Sequence, residues 1–134
     1  MALRKYGAAE ASLSINGISI EEFGDTDPAV TIADAEDRSV GIDGIGGSGL
    51  RLDRLNRPKT LTVNLLPGSD EARQILALEK TGVDFVAKFR QIGTDESVVM
   101  FNGILQRRGD MGRAGRGSVT DEQFVFRFQD SEET

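Results

Sequence analysis

Cysteine and histidine are both missing from the 134-residue sequence. Without cysteine there is no zinc–thiolate centre, no redox pair and no thiol nucleophile, and no disulfide framework demands an oxidising compartment. Without histidine there is no Ser-His-Asp triad, no imidazole metal ligand and no side chain whose ordinary pKa lies near neutrality. Hydrolase and metalloenzyme chemistry loses its usual groups. Carboxylate pairs, lysine or a bound cofactor remain for catalysis, but nothing singles any of them out. The expectation is a non-enzymatic chain with no cofactor, no metal and no catalytic residue. Long apolar runs are also missing: none approaches the length of a membrane span, and Met1 to Tyr6 does not lead into a signal-type apolar segment. Positive charge is in deficit, with 16 Lys and Arg against 22 Asp and Glu and a net charge of −6, which argues against wrapping nucleic acid or an anionic membrane. These features together read as a soluble protein made in the cytoplasm.

The length suits one domain over residues 1–134, large enough to bury roughly two thirds of its unfolded surface without a covalent or metal staple. Ser12 to Ile15 and Ile18 to Ile20 alternate on either side of Asn16-Gly17, the favoured pair for a type I′ hairpin turn. Ala29 to Ala33 alternates again after the Asp25-Thr26-Asp27-Pro28 turn and gives way to an acidic stretch at Asp34 to Asp37. Five glycines lie between Gly41 and Gly49, too flexible a run for a regular element of its own, and Leu50 to Arg54 then resumes alternation; residues 41–57 are expected to form an extended loop or hairpin. Lys59 to Leu66 sets Leu61, Val63 and Leu65 on one face and Thr60, Thr62 and Asn64 on the other. Pro67-Gly68 ends that strand. Ser69 caps a helix opened by Asp70 and Glu71 and stopped near Lys80 by Gly82. Further strands are expected at Val83 to Gln91, Ser97 to Gln106 and Glu122 to Phe128, with Phe124, Phe126 and Phe128 aligned. Residues 107–118 read as an exposed, mobile Gly/Arg-rich loop and residues 130–134 as an acidic tail. About seven strands and one helix make a mostly β domain, an antiparallel barrel or sandwich with a flanking α-helix and a long β-hairpin extension.

Each motif that could carry chemistry is weaker than its ordinary explanation. Gly44-Ile45-Gly46-Gly47-Ser48-Gly49 matches G-x-G-x-x-G, but a dinucleotide site needs a helix after it, and here a strand pattern follows. Asp34, Glu36 and Asp37 lack the spacing and glycine of a calcium loop and read as a solvated charge run. Arg107, Arg108, Arg113 and Arg116 sit among glycines without aromatic residues for base stacking. In an acidic chain they are better explained by complementary charge between subunits than by nucleic-acid contact.

The order of elements then matters: a hairpin at Asn16-Gly17, Asp43-Gly44 in a glycine-rich extension, the strand Leu61 to Leu66, and Pro67-Gly68-Ser69-Asp70 opening a short helix. This order, and above all the segment Lys59 to Leu78, resembles the tail-tube proteins of contractile-tailed bacteriophages, a fold group shared with tube proteins of secretion systems and tail-derived bacteriocins. The resemblance implies hexameric rings of the chain stacked into a hollow tube in the virion tail, assembled in the host cytoplasm. Sheath, tape-measure and baseplate proteins would be its neighbours, and DNA would pass through without specific binding. Such a lumen should be neutral or negative, since arginine and lysine would hold phosphates. Thr60, Thr62 and Asn64 are the lumen-facing candidates. Ring stacking falls to Gly44, Gly46, Gly49, Arg51, Arg54 and Arg57, with Arg107, Arg108, Arg113 and Arg116 as further subunit contacts. The competing expectations are a tube protein of a secretion system or tail-derived bacteriocin, and a monomeric small β-barrel that binds a ligand or an acidic partner.

Overall fold

The computed structural model describes residues 11–21, 23–24, 28–36, 38–44, 46–47, 49–53, 56–91, 96–116 and 119–133. The amino-terminal ten residues, the turn at Asp25 to Asp27, Asp37 and Arg54 lie outside them. In chain order the elements are β1 (Ala11–Ile15), β2 (Ile18–Ile20), β3 (Val30–Asp34), β4 (Ser39–Asp43), β5 (Gly49–Asp53), β6 (Lys59–Leu65), α1 (Asp70–Thr81), β7 (Phe85–Gln91), β8 (Glu96–Arg108) and β9 (Glu122–Glu133). Seven strands form one antiparallel sheet in the order β2-β1-β7-β8-β9-β6-β3, curled into a half-barrel, while β4 and β5 form a separate two-stranded sheet.

Local chemistry explains the first turn and the helix. Asn16 and Gly17 both take positive φ, 51° and 84°, as a type I′ turn requires. The Asn16 side chain then extends the sheet sideways: its Oδ1 accepts from the Val86 amide at 2.7 Å and its Nδ2 donates to the Asp84 carbonyl at 3.2 Å. At α1, the Ser69 hydroxyl accepts from the Ala72 amide, and Gly82 closes the helix at φ 76° with its amide on the Glu79 carbonyl. Ala72 and Ile75 are buried against the core face of the sheet.

That core is built by the inward faces of the strands. Leu13 and Ile15, Leu61, Val63 and Leu65, Phe85 and Ala87, and Phe124, Phe126 and Phe128 are all buried in one cluster. Phe85 meets Phe126 edge to face at 5.2 Å, and Phe126 lies between Phe124 and Phe128 at 6.4 and 6.1 Å. Each fully buried phenylalanine contributes about 1.5–3 kcal/mol of transfer free energy. The curl is helped by two irregularities in β8. Phe101 and Asn102 together oppose Val86, with Asn102 at φ 53°, and Gln106 is the extra residue between the pairs Leu105–Phe126 and Arg107–Val125.

Several sequence expectations are corrected. The strand expected from Val83 begins at Phe85, and Val83 is exposed. Gly41 lies inside β4, opposite Arg51, so the glycine run does enter a regular strand. Arg107 and Arg108 belong to β8 and not to a loop. Nor is the described part of residues 107–118 loosely held: Gly109 donates to the Gln123 carbonyl at 2.8 Å, and Gly112 exchanges bonds with Thr120. The acidic segment expected as a tail is, through Glu133, the end of β9, where Val98 to Phe101 of β8 supply its partners. The Asp130 and Glu133 carboxylates accept bonds from segments packed beside β9.

Candidate assembly surfaces

The β4–β5 hairpin pairs Val40 with Leu52 and Ile42 with Leu50 in register, and it turns through Gly46 and Gly47 at φ 100° and 88°. Among the described residues its strands are hydrogen-bonded as a ladder only to each other. Ile42 and Leu50 remain 47% and 56% exposed. Gly44 and Gly46 lie exposed at the turn, Gly49 opens β5, and Arg51 lies opposite Gly41.

The hairpin root is fixed by charge. Lys59, only 5% exposed at its side chain, places its ammonium on both Asp34 and Glu133. Arg38 meets Asp34 through Nε at 2.9 Å and through its terminal nitrogen at 3.2 Å, and also reaches Glu133. The Arg38 guanidinium, with Lys59 second, holds the Asp34 carboxyl at a pKa of about 2. Lys59 in the same way lowers that of Glu133, and Asp34 raises that of Arg38. On the other side of the root, the Arg57 amide donates to Asp130 at 3.0 Å and the Ser131 hydroxyl donates to the Arg57 carbonyl at 2.7 Å. The Arg57 amide, followed by that of Ser131, lowers the Asp130 pKa. Both strands of the hairpin thus leave the body beside the last residues of β9.

Beside that root lies an open groove of about 660 Å³. Pro58 and Ile104 form its apolar part, with Ile104 57% exposed. Carboxamides of Asn56, Asn102 and Gln129 line the rest, and one side is closed by Arg127 against Glu36 at 3.2 Å.

The remaining candidates are dispersed. Thr60 and Thr62 are half-buried on the sheet face turned away from the core, Thr60 between Ala33 and Arg127 and Thr62 between Thr31 and Val125. Asn64 is 5% exposed: its Oδ1 accepts from Gln123 at 3.4 Å, and its backbone bonds Gly24 and Ala29. The polar row open to solvent on β6 is therefore Thr60 and Thr62. Along β7 the same face carries exposed Lys88 and Arg90. Arg108 stacks over Phe124 at 5.3 Å and lies 3.6 Å from the buried Glu122, which Arg113 also reaches at 3.2 Å. Those two arginines hold β8, β9 and their connection together. Arg107 and Arg116 are exposed. Sequence reasoning missed Lys59, Asp34, Arg38 and Glu133 as one cluster, and missed the groove; no local signal marks either, because their residues come from distant segments. Among the described residues no group of three metal-ligating side chains occurs, and no helix is long and apolar enough to cross a membrane.

No protein-family sequence model matches the chain, and no curated protein sequence does. Solved structures do match. The tube-terminating cap of the anti-feeding prophage superposes with a TM-score of 0.60 at 10% identity, covering 100% of this chain and 94% of that one. The sheath/tube terminator of the extracellular contractile injection system PVC gives 0.57 at 10% identity over 100% and 99%. A chain of the PVC sheath–tube complex gives 0.55 at 11% identity over 97% and 91%. The chain has the tail-tube-like fold of contractile injection system tube and tube-terminator proteins. Those neighbours are structural components of phage-like tails, not enzymes.

Proposed function

We propose that this chain is a structural subunit that polymerises into stacked rings, hexameric in our reading, forming the hollow inner tube of a phage or phage-like contractile tail. The observation that carries the proposal is the β4–β5 hairpin, a two-stranded ribbon with an exposed apolar pair and, among the described residues, no third strand. An isolated two-stranded hairpin is marginal in water, so a subunit that projects one is built to have it supported by a neighbour. Whole-length likeness to tube components supports the same reading.

In such a tube Thr60 and Thr62 are our lumen-facing residues, with Arg127 beside Thr60 neutralised by Glu36. If the whole outward face lined the bore, Lys88 and Arg90 would make it mixed in charge and not acidic, which weakens the case for free passage of DNA. Sheath and baseplate proteins are the partners we expect outside the ring, with a virion or particle tail as the location.

Negative-stain microscopy of the concentrated protein tests the proposal: hollow tubes are expected, and deleting Gly44 to Gly49 should abolish them while circular dichroism and monomer melting stay near those of the parent. Monomers at every concentration would refute it. A second reading, a tube terminator, is favoured by the two cap and terminator matches. It predicts single rings that bind the end of a tube and do not elongate.

A further inference from the structure

We propose that the groove at the hairpin root is the receiving site for the hairpin of a second copy of this chain, with Leu50 and Ile42 entering against Ile104 and Pro58. The inference rests on the assembly reading above and assigns its contact. Three observations fit one occupant. Two exposed apolar side chains on the hairpin match the apolar part of the groove, where Ile104 is open to solvent beside the buried Pro58. Among the described residues the β4–β5 ladder has no third strand, while Asn56, Asn102 and Gln129 offer carboxamides, each carrying both a donor and an acceptor. Finally, in a chain of net charge −6, the rim of the groove is a mutually neutralised Arg127–Glu36 pair, so approach of another copy meets no excess of like charge there.

Groove and hairpin are different surfaces of the same molecule, so each copy can give a hairpin to one neighbour and take one from another, a heterologous contact. Repeated, this closes into rings or continues as a filament, whereas a reciprocal exchange between two copies would give only a two-fold dimer.

The absence of cysteine permits a clean test. Leu50→Cys and Ile104→Cys are prepared as separate proteins, mixed under assembly conditions, oxidised, and digested for mass spectrometry. A disulfide linking positions 50 and 104 is expected, since such a bond forms only when the two Cβ atoms come within about 4 Å. It should disappear on dilution below the assembly concentration. Ile104→Asp, at an exposed position, should leave the melting temperature unchanged and raise the concentration needed for assembly at least tenfold. If rings or tubes form but the 50–104 link is missing and Ile104→Asp assembles like the parent, the docking site is refuted and the tube reading survives. If the parent forms no assembly at any concentration, both fall.

Discussion

Gly103 is the position at which a single added methyl group should do most damage. It sits in β8 between Phe85 of β7 and Phe128 of β9, both fully buried. A Cβ there would lie 2.3 and 2.4 Å from Cε1 and Cδ1 of the Phe128 ring and 3.0 Å from the Phe85 carbonyl oxygen. Ordinary contact begins near 3.4 Å, so the ring would have to retreat by about 1.1 Å, the difference between 3.4 and 2.3 Å. It has little room to do so, because the ring is fully buried with Phe126 6.1 Å away and belongs to the close-packed interior. Overpacking of this kind costs about 2–3 kcal/mol. At roughly 3–5 °C per kcal/mol for a domain of this size, Gly103→Ala should lower Tm by about 6–15 °C in differential scanning calorimetry. Gly41→Ala is the control, since nothing lies within 4 Å of its Cβ; it should melt within about 2 °C of the parent. A Gly103→Ala protein that also melts within about 2 °C of the parent would refute the packing argument.

Two further predictions address the turn and the hairpin root. Asn16→Ala loses both side-chain bonds to the β7 entry and places a Cβ-bearing residue without a polar side chain at φ 51°, costing about 2 kcal/mol in urea unfolding, whereas Asn16→Gly should cost about half as much; equal losses would remove the backbone contribution. Asp34 takes up its proton near pH 2 in the folded chain against an ordinary value of 3.8, so its stabilising contribution is complete above about pH 4 and is lost as pH falls toward 2; Glu133 and Asp130 act in the same direction. The urea midpoint should therefore fall across that window, and fall less in Asp34→Asn; identical slopes in the two proteins would show that the root network does not titrate as described.

What could be read from the sequence was what local chemistry decides. Asn16-Gly17, the Ser69 cap, the Gly82 terminus and the alternation of Leu61, Val63 and Leu65 each depend on residues within a few positions, and each appears where the pattern places it. The mostly β fold with one helix followed from these. The corrections share a different cause. Asp130 to Glu133 look solvated until Val98 to Phe101 are laid beside them and Lys59 is buried beneath Glu133. Arg108 reads as a loop cation until Phe124 and Glu122 supply its stacking surface and its charge. The groove joins residues 36, 56, 104 and 127, a proximity that no single stretch encodes.

The position of β9 bears on when a subunit becomes competent to assemble. It lies between β8 and β6, so its ladders join the β2-β1-β7-β8 side of the sheet to the β6-β3 side, and it follows every strand that it joins. Its final residues also hold both legs of the hairpin. A chain still emerging from the ribosome can form the Asn16-Gly17 hairpin and α1, but it can neither close its core nor fix the direction of its projecting ribbon. In the assembly proposed above, synthesis order would act as a timer: the surface that engages another copy would be set only after β9 has been made, and partly synthesised chains would not nucleate polymer on the polysome.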